Sequence, residues 1–323
     1  MAEPEYAVGV DLGGTNLKVA LVERAAGIVR QSSLPTDADQ GTDRVLDRIA
    51  QGVSEIAAGY DIVGVGVGAP GAVSLDRTTV SKPPNFPGWL TVHMPDALRQ
   101  RLGDLSPGPT LVENDANVAG LGSAFYGAGR PFDSFVMVTL GTGVGGAIIV
   151  DNRLFRGTTG AAGEIGHMSI DYEGPYSRAG VAGAIEAYLG QRFLSRHARY
   201  QLLARETSLH GTAGRDLCDL TPERLHTSAV AGDPAAREVL AWAGHKLGVL
   251  LGSVVNLLDI RTFIVGGGVS QAESFLLDPA RQALERSVMP SMAQGVQIIR
   301  ETRGNDVALL GAARLVFERL DDA

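Results

Sequence analysis

The chain carries one glycine-turn pattern twice, and this repeat constrains its fold more than any other feature. Residues 6–22 consist of two largely apolar runs around the turn Asp-Leu-Gly-Gly-Thr-Asn. Residues 135–150 align with that stretch without a gap, so that Gly141 takes the place of Gly13. A strand, a short glycine turn and a second strand form a hairpin. The repeat therefore predicts two related α/β lobes, each beginning with a hairpin.

The turns have the chemistry of a phosphate site. In the first turn, two adjacent glycines allow the backbone to approach a ligand and leave amide N–H groups free to donate to phosphate oxygens. The alternative is a plain hairpin turn, and the first motif alone fits both interpretations equally. Because the pattern recurs, two such turns could close on the phosphates of a nucleotide from both sides.

A rival interpretation comes from the spacing Gly141-x-Gly143-x-x-Gly146, which matches the fingerprint of dinucleotide-binding proteins. That fold needs a helix directly after the glycines. Residues 147–152 are instead β-branched and end in an Asp-Asn turn, so a strand is predicted there. This excludes a dehydrogenase of that type.

A second polar feature is Asn-Asp-Ala-Asn at residues 114–117, directly after a predicted strand over residues 109–112. A strand that ends in this way places one carboxylate, Asp115, at the mouth of a cleft. The alternative is an N-cap for a helix over residues 116–125. The two interpretations are compatible, because a helix N-terminus favours a negative charge.

The rest of the chain alternates strands and helices, which predicts the α/β class with the ligand where strands end. The Pro-rich loop at residues 82–89 is expected to expose Trp89. The C-terminal helix is expected to pack on the first lobe. Predicted helices cover residues 42–58, 180–198, 235–258 and 307–320. The pair Asp278-Pro279 is expected to cap a further helix. Predicted strands include residues 62–68 and a run from Thr262 that stops at Gly266.

Composition excludes several classes of function. A net charge of −8 argues against nucleic acid and anionic membranes as partners. The one cysteine, Cys218, rules out an intrachain disulfide framework. Residues 1–5 lack the basic and apolar regions of a signal peptide, and the apolar run at residues 247–258 is too short to span a bilayer. A cytoplasmic soluble enzyme is expected.

Six motifs, in this order along the chain, are shared with one known family. The chain resembles the kinases of the ROK family (repressors, open reading frames and sugar kinases) over nearly its whole length. The motifs are Asp11-Leu12-Gly13-Gly14-Thr15, Gly68-Ala69-Pro70-Gly71, Asn114-Asp115-Ala116-Asn117, Leu140-Gly141-Thr142-Gly143-Val144-Gly145-Gly146, Gly163-Glu164-Ile165-Gly166-His167 and Val265-Gly266-Gly267-Gly268.

The resemblance implies an α/β two-lobe actin-type ATPase (ribonuclease H-like) fold with the active site in the interlobe cleft. The small N-terminal lobe would comprise residues 1–118 plus 306–323, and the large C-terminal lobe residues 119–305. The reaction implied is the ATP- and Mg²⁺-dependent phosphorylation of a hexose, glucose first, at its 6-hydroxyl. A homodimer is expected.

The same resemblance assigns roles to individual residues. Asp115 would be the base that accepts the proton of the sugar hydroxyl, a role worth roughly 10²–10⁴-fold in rate. Asp11 would orient the hydrated metal. Other sugar-binding residues would be Gly71, Asn85, Asn114, Glu164, His167 and Glu186. The nucleotide would be held by Asp11, Gly13, Gly14, Thr15, Asn16, Lys18, Gly141, Thr142 and Gly143, with Gly266 and Gly267 bordering the adenosine.

One departure from the family pattern concerns zinc. Many members bind structural zinc through three cysteines and the motif histidine, but the cysteine positions here are Ser177, Ala179 and Ala184. Structural zinc sites need four N, S or O ligands, and only His167 is retained, so zinc is predicted to be absent. We expect a hydrogen bond to hold His167 instead, and Val181, Ile185 and Tyr188 to order the loop by packing.

Several functions remain open from the sequence alone. An N-acylhexosamine kinase or a polyphosphate-dependent glucokinase would share the pocket motif, although an acidic chain disfavours a long polyanion. A sugar-responsive repressor would need a DNA-binding domain before Asp11, for which the sequence leaves no room, and the negative charge agrees. A non-catalytic sugar binder is the remaining alternative.

Overall fold

The structure is a computed structural model that describes residues 5–105 and 108–322. Residues 1–4, which entered the expectation about a signal peptide, lie outside the described residues. Thirteen strands occur in the described chain: β1 Tyr6–Leu12, β2 Asn16–Glu23, β3 Gly27–Pro35, β4 Ile62–Ala69, β5 Ala72–Val73, β6 Thr79–Ser81, β7 Thr91–His93, β8 Thr110–Asn114, β9 Phe135–Leu140, β10 Val144–Val150, β11 Arg153–Phe155, β12 Thr262–Gly266 and β13 Gln297–Arg300.

The helices lie between these strands, as the α/β prediction requires. Ten α-helices occur in the same described residues: α1 Thr42–Ala57, α2 Met94–Leu102, α3 Asp115–Tyr126, α4 Glu186–Leu189, α5 Gln191–Leu202, α6 Leu209–Thr212, α7 Pro222–Val230, α8 Pro234–Leu258, α9 Ser274–Ser287 and α10 Asp306–Asp321.

Packing divides the chain into two compact units. The first consists of residues up to 133, residues 147–163 and residues from 305 onward, and the second of residues 134–146 and 164–304. The lobe boundaries given by the resemblance stay a prediction.

Strand β1 lies at the centre of the first sheet, whose order is β3-β2-β1-β4-β8. It pairs antiparallel with β2 and parallel with β4, which is parallel to β8. Side chains alternate across a strand, so Val8 and Val10 face a core shared with α1 and α2, whereas Ala7 faces α10. Because β1, β4 and β8 are parallel, their carboxyl ends lie at one edge of the sheet.

Helix α10 packs on this sheet at backbone contact, as expected for the C-terminal helix. A Cβ atom on Gly9 would collide with the carbonyl oxygen of Leu309, and one on Gly66 with that of Ala312. Glycine is therefore required at both strand positions, because any side chain would push the helix away.

The second sheet has the order β11-β10-β9-β12-β13, which repeats that of the first. Strands β9, β12 and β13 are parallel, and β10 and β11 are antiparallel. The strand predicted after the second glycine turn is thus present as β10, which confirms that this turn does not begin a Rossmann helix. Among the described helices, α8 alone has the length and apolarity of a membrane span. In its most apolar stretch of 18 residues, 61% is buried inside the protein.

Three local predictions were wrong. The helix predicted over residues 180–198 begins only at Glu186, because Gly180 and Gly183 have left-handed φ angles of 78° and 62° that a right-handed helix excludes. It is then interrupted at Gly190, where ψ is 135°. Helix α9 begins at Ser274 and contains Pro279, so the Asp-Pro pair is not its cap. Trp89 is 3% exposed and its Nε1 donates to the carbonyl of Val80, so that the Pro-rich loop closes over it.

Candidate active site

The polar stretch after β8 is both a helix cap and an exposed carboxylate. Asn114 is the N-cap of α3, and its Oδ1 accepts hydrogen bonds from the amides of Ala116 at 2.9 Å and Asn117 at 3.3 Å. Asp115 is the first helical residue and is exposed, with its Oδ1 2.8 Å from the amide of Ala116. The helix N-terminus thus carries a carboxylate that a ligand can reach, in a field that favours negative charge.

Directly before this pair, Glu113 is fully buried. Its Oε1 accepts hydrogen bonds from the Asn114 amide at 2.9 Å and from Asn117 Nδ2 at 3.0 Å. Its Oε2 lies 2.6 Å from Nε of Arg156 and 3.3 Å from Nε of Arg77. Because the buried Glu113 carboxylate contacts Asn114 and Asn117 as well as two arginines, it holds the start of α3 in place.

The first glycine turn lies at the same sheet edge. Asp11 pairs with Gly68, and Gly68 with Glu113, so Asp11 and the end of β8 are two strand spacings apart, about 10 Å. Burial raises the pKa of Asp11, while the nearby Lys18 opposes the rise. A carboxylate at this edge, on the strand that leads into a glycine turn, fits the proposed contact with a hydrated metal ion.

The backbone of this first turn is held by a residue that the sequence did not single out. Thr36 is fully buried. Its Oγ1 donates a hydrogen bond to the carbonyl of Gly13 at 2.7 Å, and its amide donates one to the carbonyl of Thr15 at 3.0 Å. Gly14 and Thr15 are exposed at the tip, as are Asn16 and, in part, Lys18.

Two further sugar-binding candidates lie on loops of the first unit. A Cβ atom on Gly14 would be 3.3 Å from that of Asn85, so Asn85 lies against the first glycine turn. Gly71 has a left-handed φ of 95° and packs on Pro83. The Pro-rich loop thus connects both candidates, and Asn85 itself has a φ of 68°, which asparagine tolerates better than most residues.

The second glycine turn is closed by a carboxylate. The Gly141 amide donates to the Gly143 carbonyl at 3.0 Å, and Glu186 Oε2 accepts from the Val144 amide at 3.3 Å. A Cβ atom on Gly143 would collide with this Oε2. Glu186, a candidate sugar ligand, therefore also fixes the shape of the turn, while Thr142 remains exposed.

The candidate adenosine-binding glycines lie beside this turn. Gly267 has a left-handed φ of 86°, and a Cβ atom there would collide with the carbonyl of Leu140, the residue before Gly141. Gly266 is buried, with room for a Cβ atom limited by Met137 and Glu301. The structure thus brings Gly266, Gly267 and the second turn together within the second unit.

Glu164 and His167 lie at a short 3₁₀ helix, Ile165–His167. His167 Nε2 is 3.7 Å from Glu164 Oε2, which is beyond hydrogen-bond distance. Its Nδ1 is buried and has no hydrogen-bond partner in the described part of the chain. The expected hydrogen bond to His167 is therefore not seen there.

The loop that follows does not offer a zinc site. Ser177 and Ala184 are buried and Ala179 is exposed, and none of the three supplies a zinc ligand such as thiolate or imidazole. Within residues 5–105 and 108–322, no three His, Cys, Asp or Glu side chains gather as metal ligands. The residues present do not fit structural zinc.

The same loop is tied by other contacts. Bridges pair Ser169 with Ala184 and Tyr176 with Ala182, and the Tyr188 hydroxyl donates to Asp171 Oδ2 at 3.1 Å. Burial and then this hydrogen bond raise the pKa of Tyr188 to about 12. Packing contributes as expected: Ile185 and Tyr188 are buried and Val181 is partly buried.

A protein with two sheets of matching order, each with a glycine turn after its central strand, and with a carboxylate at a capped helix start has the features of a two-lobe ATPase-type sugar kinase. The ROK family model matches residues 7–319, and the chain belongs to the ROK family.

Known relatives and solved structures agree. The chain is 35% identical to a glucokinase of Streptomyces coelicolor, covering 96% of this chain and 97% of the relative. It is 31% identical to a glucokinase of Thermotoga maritima, covering 97% and 98%. The crystal structure of a ROK family glucokinase from Streptomyces griseus, in complex with glucose and AMPPNP, superposes with a TM-score of 0.84 at 32% identity, covering 97% of this chain and 99% of that one. The chain is therefore a sugar kinase with the two-lobe actin-type ATPase fold, which confirms the predicted family, fold and enzyme class.

Proposed function

We propose that this sugar kinase transfers the γ-phosphoryl group of ATP to the 6-hydroxyl of glucose. The observation that carries the proposal is the exposed carboxylate of Asp115 at the N-terminus of α3, directly after the capping residue Asn114. The glucokinases among its relatives, including one solved with glucose and AMPPNP, support this substrate pair.

Asp115 acts as the general base in this proposal. Its exposed carboxylate accepts the proton of the 6-hydroxyl, and the sugar oxygen forms a bond to the γ-phosphorus. The bond from that phosphorus to the β-phosphate oxygen breaks, and ADP leaves. Transfer of this kind depends chiefly on positioning and on neutralising the charge of the phosphates, so the base must be held rigidly, as the buried Glu113 holds the start of α3.

The remaining contacts follow the family pattern. Asn114, Asn85 and Gly71 of the first unit and Glu164, His167 and Glu186 of the second bind the sugar hydroxyls. The nucleotide phosphates are held at the two glycine turns, residues 13–16 with Lys18 and residues 141–143, and Gly266 and Gly267 border the adenosine. Mg²⁺, held through water by Asp11, would neutralise charge on the phosphates. We further propose a cytoplasmic homodimer.

A coupled kinase assay over a hexose panel tests the substrate, with ATP and polyphosphate compared as donors. Glucose with ATP is expected to give the highest kcat/KM. A higher kcat/KM with N-acetylglucosamine or N-acetylmannosamine would identify an N-acylhexosamine kinase. A higher kcat/KM with polyphosphate than with ATP would identify a polyphosphate-dependent glucokinase. Sugar binding without turnover of any hexose would identify a non-catalytic binder or regulator.

The base is tested by Asp115→Asn, with Asp61→Asn, an exposed position of the first unit, as the matched control. Loss of a general base is expected to lower kcat roughly 10²–10⁴-fold, while the dissociation constant for glucose stays near that of the wild type. A near-native kcat in Asp115→Asn would remove Asp115 from this role.

A further inference from the structure

A cavity of about 420 Å³ lies in the second unit, beside the second glycine turn. Thr142 of the turn belongs to its wall, and the charged side chains that line it are Arg192, Arg196 and Arg199. No carboxylate side chain of the described residues lines it. The wall of this cavity is therefore positively charged, although the chain as a whole has a net charge of −8. The volume of the cavity is in the range of small-molecule sites.

Helix α5 explains why the three arginines lie together. Residues spaced by four and three positions occupy one face of a helix, and the opposite face buries Leu194 and Ala198. The helix begins at the glycine turn, because the Gln191 amide donates to the Gly141 carbonyl at 2.9 Å. The arginine face therefore runs from the turn outward for about 10 Å, at 1.5 Å per residue.

The positive charge of this face is only partly compensated. Arg199 Nε donates to the carbonyl of Asp216 at 2.7 Å, and its Nη2 lies 4.0 Å from Asp216 Oδ2. The Arg196 guanidinium lies over the Phe193 ring at 5.1 Å. Within the described residues, Arg192 and Arg196 have no carboxylate within ion-pair distance. Like charges at this spacing destabilise a helix, and an anion between them would reverse that cost.

We propose that the arginine face of α5 binds the phosphate chain of the phosphoryl donor, beyond the phosphate held at the second glycine turn. Guanidinium groups pair with phosphate through two parallel hydrogen bonds, and three of them along one line match a linear chain of phosphates. The donor is either a nucleoside triphosphate or inorganic polyphosphate, which share this chemistry. The inference rests on the proposed kinase function and adds the residues that select its donor.

The test compares Arg196→Gln and the double variant Arg192→Gln/Arg196→Gln with the wild type. Arg286→Gln is the matched control, since Arg286 is exposed on α9 of the same unit and its Nε donates to a carbonyl of its own helix. Calorimetry on the full-length protein measures the affinity for inorganic tripolyphosphate without sugar. We expect that affinity to fall about tenfold per arginine, the usual size of a lost hydrogen bond to a charged group, with no change in Arg286→Gln.

Steady-state kinetics then assign the donor. A KM for ATP that rises about tenfold per arginine identifies the triphosphate as the bound chain, and a rise for long-chain polyphosphate alone identifies inorganic polyphosphate. The affinity for the hexose should not change. Unchanged tripolyphosphate affinity, or unchanged KM for both donors, overturns the proposal. If no hexose is phosphorylated, the kinase function fails, and calorimetry still decides whether this face binds a phosphate chain.

Discussion

Glu113 Oε2 lies 2.6 Å from Nε of Arg156, 43 residues later in the sequence, and the carboxylate has no exposed surface. Neither atom has hydrogen-bond geometry with a partner in the described residues, so the attraction is ionic. The same carboxylate holds Asn114 and Asn117 through its other oxygen. One buried charge therefore connects the segment after β11 to the start of α3, where the proposed base stands.

Replacement of this charge is expected to affect both stability and turnover. Glu113→Gln leaves the guanidinium groups of Arg156 and Arg77 without their anion, and breaking a buried pair costs about 3–5 kcal/mol. Because the start of α3 then shifts, kcat is expected to fall by up to about 10²-fold, the cost of a small misplacement at a reacting centre. Denaturant unfolding and steady-state kinetics measure the two effects.

The control for this variant is Glu318→Gln. Glu318 also faces Arg77, at 3.5 Å, but lies on α10 and not at the start of α3. The variant Glu318→Gln should leave kcat near the wild-type value. Equal losses of kcat in both variants would show that Glu113 acts on general stability and not on the position of Asp115.

A side chain at Gly143 is expected to displace the Glu186 carboxylate from the second glycine turn, because its Cβ atom would collide with Glu186 Oε2. Gly143→Ala should displace either the turn or the carboxylate and lower kcat/KM for the donor about tenfold, equivalent to about 1.4 kcal/mol of transition-state binding. Gly211→Ala, where a Cβ atom meets nothing within 4 Å, is the control. Native kinetics of Gly143→Ala would show that the turn adapts without cost.

The sequence predicted those parts of the fold that depend on local pattern. Both hairpins were found because strands and glycine turns are encoded within about 15 residues, and α3 because its cap precedes it directly. The segment at residues 180–198 failed for the converse reason. The helix begins only at Glu186, because Gly180 and Gly183 adopt left-handed angles that the residue types alone do not reveal.

The parts of the site that sequence reasoning missed depend on distant contacts. Glu113 was visible as a charge in an otherwise apolar strand, but Arg77 and Arg156 reach it from loops far away in the sequence. Thr36 follows β3 with no local signal for its bond to the Gly13 carbonyl. Trp89 was expected to be exposed, and only the packed loop shows that its ring is in edge-to-face contact with Phe86.

Zinc is expected to be absent from the purified protein. His167 is the only one of the four family ligands that remains, and Ser177 and Ala184 are buried without a thiolate. Elemental analysis should find less than stoichiometric zinc, and a chelator should leave the thermal midpoint unchanged. One zinc ion per chain, or a midpoint that falls on chelation, would contradict this prediction.

Tyr188→Phe is expected to loosen the loop in which those positions lie, because it removes the hydrogen bond to Asp171. The loss should be about 1 kcal/mol. The pKa of Tyr188 is raised to about 12, so its contribution is complete below the unfolded pKa of about 10 and is lost as the pH rises toward 12. The wild type and the variant should therefore converge in stability in that alkaline range. A constant difference between pH 8 and 11.5 would contradict the assignment.

Asp233 is expected to make the second unit sensitive to acid. Its Oδ1 caps α8 by accepting from the amides of Ala235 and Ala236, and its Oδ2 accepts from Thr207 and Ser208. Burial alone would raise the pKa of Asp233, but these hydrogen bonds outweigh it and hold the pKa below its ordinary value. A depressed pKa contributes stability above the unfolded pKa of about 3.9 and loses it as the pH falls further.

Asp233→Asn should therefore cost about 2 kcal/mol at pH 7, the usual range for a lost cap and a hydrogen bond to a charged acceptor. The cost should shrink as the pH falls below about 4, because protonation of Asp233 then removes the stability that its charged form contributes to the wild type. Thermal midpoints from pH 7 down to pH 2.5 measure the difference. Asp96→Asn, at an exposed position in the first turn of α2, is the control and should change the midpoint little. A cost for Asp233→Asn that is independent of pH would mean that the cap acts through its shape and not through its charge.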